Sequence, residues 1–189
     1  TYLRFSRFLT SFLTYLMTPT FLLLMTHREW VPEAFQFIML KETENVPLIW
    51  QFLILELAID GLRLAAVSTP TMLSTPLSVM AAIVLGEFSV NSGWFNAEVM
   101  LYMAFVAIAN YTQSNYELGY ALKFMRILTL VLTAVFGLTG YIAGVLILVL
   151  AIVTNRTVSK QSYIYPLIPF DFKKVCRRFF RLRLPEARK

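Results

Sequence analysis

Apolar residues in this chain come in runs of membrane length, broken by short polar stretches and not by the period-two alternation of strands. Residues 5–25 form the first run, with Arg4 and Arg7 at its mouth and Pro19 in its second half. Pro19 deletes one helical hydrogen bond and favours a kink, with the Thr14 or Thr18 hydroxyl near enough in sequence to meet the freed carbonyl. The polar stretch THREWVPEAFQFIMLKETEN follows, in which Trp30, Phe35 and Phe37 suit a short helix lying at the membrane interface. Residues 46–67, VPLIWQFLILELAIDGLRLAAV, then match the roughly 20 residues a spanning helix needs.

That second run carries Glu56, Asp60 and Arg63, four and three residues apart and so on one helical face, which Ile49 and Val67 continue. A charge at mid-bilayer costs about 2.5–3.5 kcal/mol on insertion scales. Asp60 can neutralise Arg63 one turn away; Glu56 must find a partner on another helix or face water. Two readings stay open for the trio: a structural ion pair, or ion handling.

Residues 68–93 are punctuated by Pro70 and Pro76. Wound as one α-helix, Thr71, Thr75, Ser78, Ala82, Gly86 and Ser89 share a face, with Leu73, Leu77, Met80 and Val84 opposite. Such a stripe serves either close helix packing or a pore lining in which hydroxyls replace part of an ion's hydration. Glu87 falls off the stripe, either as an interfacial carboxylate or as a further partner for Arg63. NSGWFN reads as a turn with Trp94 as an interfacial anchor. Residues 98–110 make a thin full span or half of a re-entrant hairpin, and YTQSNYELGYALKFMR returns to a polar interface marked by Lys123 and Arg126.

Residues 127–153 are apolar throughout, long enough for one tilted helix of about 40 Å at 1.5 Å per residue. Gly137-Leu-Thr-Gly140 divides them, and the charges flanking the run favour a hairpin. The expected fold is therefore all-α: a polytopic integral membrane helical domain over residues 1–155, with four spans, a divided final hydrophobic pair and interfacial amphipathic helices. The positive-inside rule places Arg4/Arg7, Lys123/Arg126 and both ends of the chain on the cytoplasmic side, and the acidic loop opposite.

Composition sharpens this. The 189 residues are 58% hydrophobic, and the +6 net charge is uneven: ten Lys or Arg against Asp171 and Glu186 follow residue 155. Residues 156–189 read as a basic tail at the membrane surface, with Phe172, Val175, Phe179 and Phe180 embedded. Lys173, Lys174, Arg177, Arg178 and Arg181 then meet lipid headgroups, each surface cation adding about 1 kcal/mol. Confined to the tail, that charge does not indicate nucleic-acid binding. One Cys and one His exclude an internal disulfide and disfavour a Cys/His metal site, and no catalytic set or phosphate loop is visible, so neither an enzyme nor a cofactor is expected. Inverted repeats, the mark of many secondary transporters, are not convincing here, which weakens a proton-coupled transport reading through Glu56 or Asp60.

The series RFSRFL, TPTFLLLMTHREWVP, LILELAIDGLRLA, VLGEFSVNSG, NYELGYALKFMR, FGLTG and YPLIPF resembles the membrane half of the spore-germination A-subunit (GerA) family across essentially the whole chain. The most distinctive elements are E-L-x-x-D-x-x-R-x-A, from Glu56 to Ala65, and Pro-Leu-x-Pro-Phe before the basic tail. Glu87 stands where the nutrient-receptor members tend to carry Gln. The resemblance implies an inner-membrane protein of endospores and a subunit of an oligomeric, pentameric ion channel releasing monovalent cations during germination. It also implies a small partner membrane protein and a large cytosolic domain ahead of this piece. The competing expectation is a receptor or scaffold subunit with no pore of its own.

Overall fold

The computed structural model describes residues 2–41, 43–68, 76, 79–112 and 116–154. Within them the chain is all helical: α1 (Tyr2–Thr26), α2 (Leu48–Ser68), α3 (Ala97–Thr112), α4 (Tyr116–Phe136) and α5 (Leu138–Thr154). Two 3-10 turns, Arg28–Trp30 and Glu33–Ile38, take the place of the interfacial helix expected after α1, and Trp30, Phe35 and Phe37 on them are exposed. Thr71, Thr75 and Ser78, and the tail with Lys173, Lys174, Arg177, Arg178 and Arg181, lie outside the described residues.

The helices are inverted relative to those of a water-soluble bundle. The buried residues of α4 include Lys123, Arg126, Thr129 and Thr133, three or four apart, whereas Phe124, Val135 and Phe136 are exposed. On α1, Thr14, Thr18 and Tyr15 turn inward while Phe8, Phe12 and Leu13 face out; on α2, Gln51 and Glu56 are buried while Leu57 and Leu64 are exposed. Polar groups inside and large apolar side chains outside is the arrangement of a protein whose solvent is lipid.

Two described helices are long and apolar enough to cross a membrane, Phe5–Thr26 and Glu117–Phe136. The expectation of four spans and a divided final pair goes further than these two helices support. α2 has the length but carries three charged residues, and α3 and α5, at 16 and 17 residues, extend only about 25 Å at 1.5 Å per residue.

Residues 127–153 do divide, at Gly137, whose φ of +60° lies in the left-handed region that favours glycine. The chain doubles back there. Gly140 comes against the Leu132 backbone and Gly144 against Thr129, so α4 and α5 pack as an antiparallel hairpin through small residues. The first arm, however, begins at Tyr116, well before the expected start. Lys123 and Arg126 therefore lie in the body of a helix and are 7% and 3% exposed, which corrects their expected place at a cytoplasmic interface. The positive-inside count loses its middle marker for the same reason: the rule weighs loop charges, and these two are buried.

α1 runs in the same direction as α4, since Ser11 and Tyr15 share a crevice with Gly119, Leu122 and Arg126, and His27 just beyond α1 approaches Gly137. Pro19 is fully buried in α1. Neither threonine meets the carbonyl it frees: Thr14 Oγ1 donates to the Thr10 carbonyl at 2.6 Å, and Thr18 Oγ1 has no hydrogen-bond partner. The apolar core closes around Phe21, Phe52, Val99, Met103 and Leu130, with Phe21 edge-on to Phe52 at 6.1 Å between ring centroids.

Candidate functional site

α2 and α4 run antiparallel, and their polar faces meet residue for residue. Arg126 Nη2 and Nε donate to Glu56 Oε1 at 2.5 and 2.9 Å. One turn earlier on α4, Lys123 Nζ donates to the Glu56 backbone carbonyl at 3.1 Å, lies 3.3 Å from Glu56 Oε2 and forms an ion pair with Asp60. Another turn along, the Arg63 guanidinium stacks over the Tyr120 ring at 5.1 Å. The helical spacing makes this register possible: Glu56, Asp60 and Arg63 on one helix are matched by Arg126, Lys123 and Tyr120 on the other.

Burial sets the electrostatics. The side chains of Glu56, Lys123 and Arg126 are 5%, 9% and 3% exposed, but that of Asp60 is 34% exposed. Two carboxylates and two cations leave the contact neutral, the condition for holding charges mid-helix in a low-dielectric surrounding. Satisfaction is nonetheless incomplete. Glu56 Oε2 is buried without a hydrogen bond, because Lys123 is near it but poorly aligned.

The expected charged residues therefore part company. Glu56 and Asp60 are brought together by α4; Arg63 sits half-buried a turn beyond. Glu87 is exposed in the Ala82–Phe88 segment. That segment is a π-helix with i→i+5 bonding, so the 3.6-residue period that aligned Ala82, Gly86 and Ser89 does not carry through it. Ala82 is exposed and Gly86 and Ser89 are half-buried.

Lys123 and Arg126 were the residues missed as partners. The signal was available: they stand three apart on one face with Tyr120, Thr129 and Thr133, complementary to the acidic face of α2.

Two uncharged networks brace the cluster. Gln51 donates to the Asn96 side-chain oxygen at 2.8 Å and to the Val46 carbonyl at 2.7 Å, and its own oxygen accepts from the Asn96 amide at 3.0 Å, tying the start of α2 to that of α3. Tyr15 of α1 shares a 2.6 Å hydroxyl bond with Thr129 and donates to the Gly144 carbonyl at 3.3 Å, joining α1 to both arms of the hairpin. Tyr15→Phe removes that junction while keeping the ring, and we expect it to lower stability by about 1 kcal/mol, measured as a fall in Tm of detergent-purified protein.

Residues 1–189 match the model of the Bacillus/Clostridium GerA spore germination protein family. Relatives include stage V sporulation protein AF of Bacillus subtilis, 33% identical over 188 residues and covering 100% of this chain but 38% of that protein. Spore germination protein A1 of the same organism is 25% identical over 95% of this chain and 38% of its own length. Spore germination protein KA is 25% identical over 82% of this chain and 29% of its own. The chain thus spans well under half the length of these relatives. No solved structure matches it. With a family model matched along its whole length, and with apolar-faced helices enclosing polar residues, the chain belongs to the GerA family of spore germination proteins.

Proposed function

We propose that this chain is the membrane part of a subunit of an oligomeric channel that releases monovalent cations across the spore inner membrane during germination. The observation that carries the reading is the segment from Val79 to Asn91. It is apolar, and its Val79, Met80, Val84 and Phe88 side chains are exposed. That exposed apolar face is one that other subunits can cover. Several copies arranged around an axis, pentameric by the family resemblance, would line a common pore with this segment, Ala82 and Gly86 among its small residues. Both ends of the chain face the cytoplasm in this arrangement, the basic tail lies on headgroups, and a small partner membrane protein completes the complex.

The test exploits the open space at Gly86, where a Cβ meets nothing within 4 Å. Gly86→Leu and Ala82→Trp should leave the stability of the single chain within about 1 kcal/mol and slow cation release from germinating spores severalfold. Unchanged release kinetics with normal protein levels would overturn the pore assignment.

A second reading has its own support. Glu56, Asp60, Lys123 and Arg126 neutralise one another within one chain, as in a subunit that scaffolds a receptor and conducts nothing. Ion flux through liposomes containing only this protein separates the two: flux supports the channel, and its absence the scaffold. Proton-coupled transport, the third alternative, gains no support from a carboxylate already paired with arginine.

A further inference from the structure

Lys123 Nζ has three oxygens around it from a single turn of α2: the Glu56 carbonyl at 3.1 Å, Glu56 Oε2 at 3.3 Å and Asp60 Oδ2. Two carboxylates would ordinarily be no more than an acidic pair. Here Glu56 Oε2 is buried, without a hydrogen bond, and directed at the same point. We infer that these oxygens form a binding site for a small monovalent cation of the ammonium or potassium class, and that its occupant is the protein's own Lys123 ammonium.

The charge balance selects the class. Arg126 engages Glu56 Oε1, so one negative charge remains between Glu56 and Asp60, which a single positive charge completes. A divalent cation would leave an uncompensated charge in a low-dielectric site, and no group of three or more acidic, His or Cys side chains suited to a metal occurs among the described residues. The two basic residues differ in how firmly they are held. Arg126 is fixed by two donors on one oxygen in a planar fork, whereas the Lys123 ammonium is a point charge on a flexible stem. Its contact with Asp60 is the least enclosed of the three, that carboxylate being 34% exposed. Lys123 is a tethered cation, then, and leaves a site that a free one fits. The site stands on this geometry; only its use in ion release rests on the channel reading above.

The experiment removes the tether. Lys123→Ala in the full chain, purified in detergent, is unfolded thermally in potassium, ammonium, n-propylammonium or N-methylglucamine chloride at equal ionic strength. The three small cations should raise Tm by about 4 °C per tenfold rise in concentration above their Kd, and N-methylglucamine should not. Adding Glu56→Gln balances Asp60 against Arg126 and should abolish the dependence. Lys123→Gln, which keeps most of the side-chain length, serves as the second variant, with the cations supplied from extraction onward. Equal Tm in all four salts overturns the site, as does failure of both variants to fold whichever cation is supplied. A cation-dependent Tm together with unchanged ion release from spores supports the site and removes its link to conduction.

Discussion

Arg126→Met should cost about 3–5 kcal/mol and largely abolish folded protein, because it leaves the Glu56 carboxylate buried with only a misaligned lysine beside it. The magnitude follows from burial more than from the number of bonds. Arg126 is 3% exposed and Glu56 4%, so neither recovers solvation when its partner is removed. Asp60→Asn provides the graded comparison. Asp60 also pairs with Lys123, but Asn keeps its shape and an accepting oxygen, and Lys123 retains Glu56 beside it, so the change should cost about 1 kcal/mol. The fraction of monodisperse protein after detergent extraction, with Tm for what survives, reads both. Similar losses for the two variants would mean that burial does not rank these charges as described.

Gly140→Ala should be as damaging by a different route. A Cβ at Gly140 collides with the backbone carbonyl of Leu132, and a carbonyl held in the α4 helix cannot rotate aside. The hairpin must open to admit it. Gly144 is tight too, but its neighbour is the Thr129 side chain at 2.6 Å, which can give way at the expense of its bond to Tyr15. Gly140→Ala is therefore expected to lose several kcal/mol and Gly144→Ala roughly 1–2, whereas Gly61→Ala, with open space around it, should be near neutral or slightly stabilising. Protease resistance of the α4–α5 turn around Gly137 reports the opening directly: rapid cleavage there in Gly140→Ala and not in Gly61→Ala is the expected pattern.

How much of this was legible from the residues varies with the kind of signal. The Gly137 break could be read, because a glycine pair interrupting an apolar run has few structural meanings. The α2 face could be read as well, since Glu56, Asp60 and Arg63 are visible at helical spacing. Their partners were hidden by a rule that competes with pairing: a lysine and an arginine before a long apolar run look like an interface marker. Only the helix start at Tyr116 turns Lys123 and Arg126 inward. The Gln51–Asn96 clamp left no local trace, because 45 residues separate two amides that each look like ordinary polar residues. Ala82, Gly86 and Ser89 share a face only with 3.6 residues per turn, and the π-helical winding of Ala82–Phe88 changes that register.

Direct contact between Glu56 and Arg126 holds α2 against α4, and exchanging the two charges tests it most directly. Glu56→Arg and Arg126→Glu are made singly and together, and folded yield and Tm are measured for each. Contact predicts that each single exchange, placing like charges against one another, eliminates folded protein, and that the double exchange restores a substantial part of it. A double variant no better than the worse single one would contradict the pairing, and with it the placement of α2 against α4.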